Sequence, residues 1–83
     1  MNESEAKRLL ESLRELQEDD DKLLYPCPRC GRPMKIPARS NIISKQANVY
    51  ICWECGLNEA LQAAMGETML PLAQWKTITN FWG

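Results

Sequence analysis

The sequence predicts a small, metal-stabilised α+β domain, and a chain of 83 residues is too short to be stabilised by a deep apolar core alone. Three features predict this class. Apolar residues at helical spacing near the start predict an amphipathic helix. Two Cys-x-x-Cys-Gly segments, at residues 27–31 and 52–56, have the spacing of metal-binding knuckles. A β-branched and aromatic run at residues 49–51 precedes the second pair and predicts a strand.

The amphipathic helix is predicted over residues 3–17. Asn2 can cap it, and Glu5, three residues later, completes a start that resembles a capping box. The acidic residues from Glu18 onward oppose the helix dipole, so we expect residues 18–22 to form a linker. So short a helix is marginal in water, and its apolar stripe must pack on the rest of the chain, on another copy or on a partner. The stripe consists of Ala6, Leu9, Leu10, Leu13 and Leu16.

The two cysteine pairs predict a zinc ribbon, which is a β-hairpin that carries a metal-binding knuckle at each pair. The 21 residues between Cys30 and Cys52 are enough for a strand, a loop and a returning strand. A glycine after each pair allows the backbone to turn tightly. In chain order we expect a lead-in at residues 23–25, a strand at 34–36, a polar loop at 38–48 and a strand at 49–51, with Val49 and Ile51 on one face and Tyr50 on the other.

A short helix is predicted after the second knuckle, with Asn58 as its cap and Gly66 as its end. Its apolar side comprises Ala60, Leu61, Ala64 and Met65, and a small core under the metal site takes Met69, Leu70, Leu72 and Trp75. The sequence predicts no particular element for the tail. We therefore divide the chain into an acidic helix with its linker (residues 1–22), a zinc-ribbon domain with the short helix (23–75) and a tail (76–83).

The four thiolates of Cys27, Cys30, Cys52 and Cys55 can complete a tetrahedron around one zinc ion. An iron site would use the same ligands, so the sequence leaves iron open as a substitute. Disulfides are less favoured, because the first apolar positions are interleaved with charges and do not form a secretory signal. A thioredoxin-like redox pair would need a βαβ context, which the pattern lacks.

A four-cysteine site is closed, so we expect a structural metal and no catalysis. The chain also contains no histidine, which removes the usual general base and the usual ligand of a catalytic zinc. We expect no small-molecule substrate. Reduced cysteine ligands and the absence of a long apolar run predict a cytoplasmic protein that makes no contact with membranes.

Five stretches of the sequence resemble a family of short, largely uncharacterised zinc-ribbon proteins from bacterial and phage mobile elements. They read YPCPRCG from Tyr25, NIISK from Asn41, ANVYICWECG from Ala47, NEA from Asn58 and LPLAQW from Leu70. The resemblance covers roughly 50 residues and includes the strand before the second knuckle and Trp75. It implies a ribbon followed by a helix, and it implies no established activity. The acidic helix and the end of the chain lie outside it.

Two kinds of partner suit this sequence. Protein binding, by an adaptor, an inhibitor or a self-associating chain, is favoured by apolar and aromatic residues of types common at interfaces: Leu9, Leu10, Leu13, Leu16, Trp53, Phe81 and Trp82. The alternative is DNA or RNA binding, because residues 25–50 carry five basic residues and no acid. That surface would use Arg29, Arg32, Lys35, Arg39 and Lys45, with Tyr50 to stack on bases.

Overall fold

The computed structural model describes residues 2–19 and 26–82, and the side chains of Asp19, Phe81 and Trp82 are not included. The predicted lead-in at 23–25 and most of the linker therefore lie outside the described residues. Three helices and a two-stranded antiparallel hairpin form a small α+β fold. They are α1 (Glu3–Asp19), β1 (Ile42–Ile43), β2 (Tyr50–Ile51), α2 (Trp53–Met65) and α3 (Lys76–Trp82), with 3₁₀ turns at Ala38–Ser40 and Leu72–Gln74.

Helix α1 begins as predicted, because the Asn2 side-chain oxygen accepts a hydrogen bond of 2.8 Å from the Glu5 N–H. It ends at Asp19 and not at residue 17, so the predicted end is two residues early. The reason is that Glu18 is stabilised by specific partners. Its carboxylate forms an ion pair with Arg14 at 3.1 Å and accepts a hydrogen bond from the Tyr50 hydroxyl, and these contacts offset the unfavourable dipole interaction.

Helix α1 packs on the remainder of the fold through its apolar stripe, where Ala6 and Leu10 are fully buried. Its polar residues bind backbone groups of the hairpin. The Gln17 amide accepts a hydrogen bond from Tyr50 N–H and donates one to Tyr50 C=O, each 3.0 Å long, as a neighbouring strand would. The Glu3 carboxylate accepts hydrogen bonds from the N–H groups of the 3₁₀ turn at Leu72–Gln74. Gln17 and Glu3 of α1 are thus hydrogen-bonded within the chain.

The hairpin is formed by different residues from those predicted for its first strand. Strand β1 lies at Ile42–Ile43, inside the predicted polar loop, and pairs with β2 in the register Ile42 to Ile51 and Ile43 to Tyr50. The predicted strand at 34–36 is absent from the described residues, where Pro33 makes only an isolated bridge with Pro26. Two prolines flank this segment and cannot donate to a ladder. The Asn41 side chain instead bonds both backbone groups of Lys35.

Val49, Tyr50 and Ile51 are all buried, so both faces of strand β2 are covered. Tyr50 points to the side that α1 covers, and the Arg14 guanidinium lies 5.4 Å from the centre of its ring. A two-sided cover of this kind buries both faces of a strand that sequence alternation alone would leave half exposed. Strand β2 is therefore enclosed between α1 and the rest of the core, whereas Ile43 of β1 is 42% exposed.

Helix α2 begins at Trp53, inside the second cysteine pair, so the prediction that Asn58 caps it is wrong. Cys52 is its N-cap residue and its sulfur accepts a hydrogen bond from Cys55 N–H. Gly56 therefore lies within the helix and does not form a turn. A Cβ atom at this position would lie 2.6 Å from Cδ1 of Ile42, so glycine allows α2 to pack closely on β1. Gly66 ends the helix as predicted, in the left-handed conformation with φ of 71°.

The core is completed by the last part of the chain. Trp75 and Leu72 are buried as predicted, and Ile78 of α3 joins them. The tail, for which the sequence predicts no element, forms α3, and its first N–H groups bond the carbonyl oxygens of Arg29 and Pro28. The tail thus packs directly against the first cysteine pair.

Candidate metal centre

The four cysteines lie together, with all four Sγ atoms within 4.8 Å of one another. The Sγ atoms of Cys27 and Cys55 are 3.8 Å apart, and those of Cys30 and Cys52 are 3.6 Å apart. These distances exclude a disulfide bond, which would need about 2.05 Å. They match the edge of about 3.8 Å expected for a tetrahedron of sulfurs around zinc, given a Zn–S distance of about 2.3 Å. The four thiols are placed to coordinate one metal ion.

The first pair lies in a tight turn. Gly31 N–H donates a hydrogen bond of 2.8 Å to Cys27 C=O, and Cys27 N–H donates one of 2.7 Å to Arg32 C=O. Gly31 has φ of 82°, a left-handed conformation in which any other residue would be strained. Here the glycine has the role that the sequence predicts. The turn directs Cys27 and Cys30 to the same point.

The second pair reaches the same point by a different route, at the first turn of α2. Cys52 N–H donates to Cys27 Sγ at 3.3 Å, and Cys55 N–H donates to Cys52 Sγ at 3.5 Å. Backbone N–H groups that point at sulfur stabilise thiolate ligands and fix their orientation. The positive end of the α2 dipole is directed at the same sulfurs. The site therefore fits a dication bound by four thiolates, whose net charge would be negative.

Arg29, which lies between Cys27 and Cys30, forms an ion pair that the sequence does not predict. Arg29 and Glu59 are both buried, with only 8% and 1% of the side-chain surface exposed, and Arg29 Nε is 3.7 Å from Glu59 Oε2. Glu59 also accepts hydrogen bonds from Ser44 Oγ and from Lys45 N–H. The pair joins the first cysteine turn, α2 and the segment after β1. No sequence signal marks Glu59, because a glutamate within a helix is usually solvated.

The thiol pKa values differ with their surroundings. Burial raises the pKa of Cys27 to about 11, although backbone hydrogen bonds oppose the shift. Burial also raises the pKa of Cys55 and outweighs a hydrogen bond from the Arg29 guanidinium, which lowers it. At Cys30, burial raises the pKa, but the hydrogen bond from Arg32 N–H and those from the other thiols together lower it by more, so the pKa of Cys30 is lowered. A metal ion that binds here must displace protons from the buried thiols.

Comparisons with known proteins add no further assignment: the chain matches no family model, no curated protein and no solved structure. The resemblance to zinc-ribbon proteins of mobile elements stays a prediction. Within the described residues, no helix has the length and apolar character needed to cross a bilayer.

The residues predicted for nucleic-acid binding do not form one free basic face. Arg29 is buried beside Glu59, Arg32 pairs with Glu54, and the Lys35 ammonium lies 5.0 Å from the centre of the Trp53 ring. Tyr50, the predicted stacking residue, is buried under α1. Arg39 and Lys45 have exposed side chains. Several of the cations that would contact phosphates thus already have partners within the fold.

The residues predicted for protein binding are divided between core and surface. Leu10 is fully buried, and Leu9 and Leu13 pack against the core, so α1 turns most of its stripe inward. Leu16 remains 54% exposed and Trp53 47% exposed. Phe81 and Trp82 belong to α3, and their side chains lie outside the described part.

An exposed apolar row runs along one side of α2 and includes Trp53, which is predicted for protein binding, and Leu61 and Met65, which are predicted for the apolar side of this helix. Trp53, Leu57, Leu61 and Met65 follow one another at four-residue steps along α2, and we call them the α2 stripe. Their exposed fractions are 47%, 58%, 59% and 69%. The buried side of α2 carries Cys55, Gly56 and Glu59 instead. The four-residue spacing could have revealed the stripe, but it could not show which side of α2 faces the core.

Proposed function

We propose that this protein is a non-enzymatic zinc-binding module that binds protein through the α2 stripe. Zinc is proposed as the metal because four thiolates in tetrahedral arrangement suit it and leave no open position for a substrate or a reactive water. The observation that carries the proposal is the exposure of four large apolar residues on the helix that begins at Cys52, one of the four clustered cysteines. Exposed apolar patches of this extent mark interaction sites.

The metal and the surface are linked through α2. Cys52 caps the helix and Cys55 lies in its first turn, so metal binding fixes the start of the helix that presents the stripe. In small metal-binding domains the free energy of metal binding, about 10 kcal/mol or more, is also free energy of folding. Removal of the metal is therefore expected to unfold α2 and to abolish binding. The partner that suits the stripe is an apolar face of a second helix, packed along α2.

A crosslinking experiment tests this proposal. A photoreactive phenylalanine analogue is placed at Leu61, in the stripe, and in a control variant at Glu15, on the exposed side of α1. Irradiation of the zinc-loaded protein in extract of the source cell should give a defined protein adduct from position 61 and none from position 15. Excess unlabelled wild-type chain should suppress the adduct, whereas the Leu57→Glu chain should not. An adduct that survives chelation of the metal, or equal adducts from both positions, would contradict the proposal.

A further inference from the structure

We infer that the partner of the α2 stripe is a second copy of this chain, bound with the two α2 helices antiparallel. This inference rests on the proposed function, since it names the occupant of the same surface. It follows from the spacing of the stripe, the charges at its two ends and its area.

The spacing of the stripe makes it self-complementary in an antiparallel pair. Its four residues are evenly spaced, so a two-fold axis that passes midway between Leu57 and Leu61 maps the stripe onto itself. Leu57 then faces Leu61 of the second copy, and Trp53 faces Met65 of the second copy. Each apolar side chain meets another one. The exposed alanines of the same face, Ala60 and Ala64, allow the two helices to approach closely.

The charges at the two ends of the stripe favour the antiparallel arrangement. The Lys35 ammonium lies over the Trp53 ring at the amino end of α2, where the carboxylate of Glu54 is already paired with Arg32. Glu67 is exposed just after the carboxyl end. An antiparallel pair brings Lys35 near Glu67 of the second copy twice, whereas a parallel pair would bring like charges together. The helix dipoles also favour antiparallel packing.

The area is adequate for a reversible dimer. Four large side chains that are about half exposed or more, with two exposed alanines, form a patch on the order of 300–600 Å². That is about half of the roughly 800 Å² that each partner of a standard interface buries, and the charged ends of the stripe would contribute more. A pocket of about 200 Å³ beside Trp53, lined in part by Met34 and Lys35, offers a place for the flexible Met65 side chain of the second copy.

Sedimentation equilibrium of the zinc-loaded full chain tests the inference. The wild-type chain should dimerise, to twice its mass of 9.5 kDa, at concentrations up to about 0.5 mM. Leu61→Glu should raise the dimer dissociation constant at least about 100-fold, because each copy would bury a charge at the centre of the interface. Leu16→Glu is the matched control, since Leu16 is similarly exposed but lies on α1, and it should dimerise as the wild type does.

Charge reversal tests the orientation. Lys35→Glu should weaken the dimer, and the double variant Lys35→Glu with Glu67→Lys should restore it. Zinc content and circular dichroism of each variant establish that it is folded. A wild-type chain that is monomeric at the highest concentration, or a Leu61→Glu chain that dimerises normally, would overturn the inference. If the chain is monomeric but position 61 still crosslinks to another protein, the inference that the partner is a second copy is wrong and the proposed function stands. A monomeric chain that gives no adduct would overturn both.

Discussion

The buried ion pair of Arg29 and Glu59 leads to a quantitative prediction about zinc binding. Glu59→Ala removes the carboxylate and leaves the Arg29 guanidinium buried without its counter-charge. Loss of one partner from a buried pair costs about 3–5 kcal/mol. The substitution also removes the acceptor for Ser44 Oγ and Lys45 N–H. We therefore expect a loss within that range, since the Arg29 guanidinium keeps its hydrogen bond to Cys55.

This loss should appear as weaker zinc binding, because folding and metal binding are coupled in a domain of this size. Since each 1.4 kcal/mol corresponds to a factor of about ten, 3–5 kcal/mol predicts a zinc dissociation constant raised about 10²- to 10⁴-fold. Competition with a chromogenic chelator measures it. The four cysteines are unchanged in this variant, so the effect would report the loss of Glu59 and its contacts.

The double variant Arg29→Met with Glu59→Leu provides the control. Replacement of a buried pair by apolar residues of similar volume is often neutral or stabilising, so the double variant should bind zinc more tightly than Glu59→Ala does. Circular dichroism of the zinc-loaded proteins shows whether each variant folds. If Glu59→Ala changes the zinc dissociation constant by less than about fivefold, or if the double variant is the weakest of the three, the role assigned to this pair is wrong.

Three further predictions concern packing, pH and partners. Gly56→Ala should destabilise the zinc-loaded protein by about 1–3 kcal/mol, because the new Cβ would lie 2.6 Å from Ile42 Cδ1. The control Ala63→Ser, on an exposed part of α2, should change the stability little. Chemical denaturation measures both variants. Zinc affinity should rise with pH across the neutral range, by up to about tenfold per pH unit for each proton displaced. The reason is that the Cys27 pKa of about 11 keeps that thiol protonated in the metal-free site. A zinc affinity that does not change with pH would contradict ligation by the buried thiols. Fluorescence anisotropy with single- and double-stranded oligonucleotides should show no tight, strongly salt-dependent binding, since Arg29 is buried and Arg32 and Lys35 have partners. If such binding is observed, nucleic acid and not protein is the favoured partner.

The set of clustered cysteines and the start of α1 could be predicted from sequence because both depend on local patterns. Two Cys-x-x-Cys pairs specify a set of donors whatever the backbone between them does. Asn2 caps α1 through a hydrogen bond with Glu5, a residue only three positions away. The end of α2 at Gly66 is local in the same sense, because the left-handed residue that terminates a helix favours glycine.

The remaining elements depend on contacts between distant residues, which no local pattern reveals. Strand β1 forms at Ile42–Ile43 because its partner β2 lies across the hairpin, while Lys35 is bonded by the Asn41 side chain and not by a strand. Gly56 and Gly31 each follow a Cys-x-x-Cys pair, but only Gly31 lies in a turn. Gly56 instead allows α2 to pack closely on Ile42. The spacing of apolar residues indicates a stripe on α2, but the side of α2 that packs on the core is the one with Cys55 and Glu59.

The central claim, that four thiolates hold one zinc ion, can be measured directly by X-ray absorption at the zinc edge of the purified chain together with its metal content. We predict one zinc ion per chain and four sulfur neighbours at about 2.3 Å, as expected for ligation by Cys27, Cys30, Cys52 and Cys55. Nitrogen or oxygen atoms among the nearest neighbours, a shell of fewer than four sulfurs, or a chain isolated without stoichiometric metal would contradict the claim.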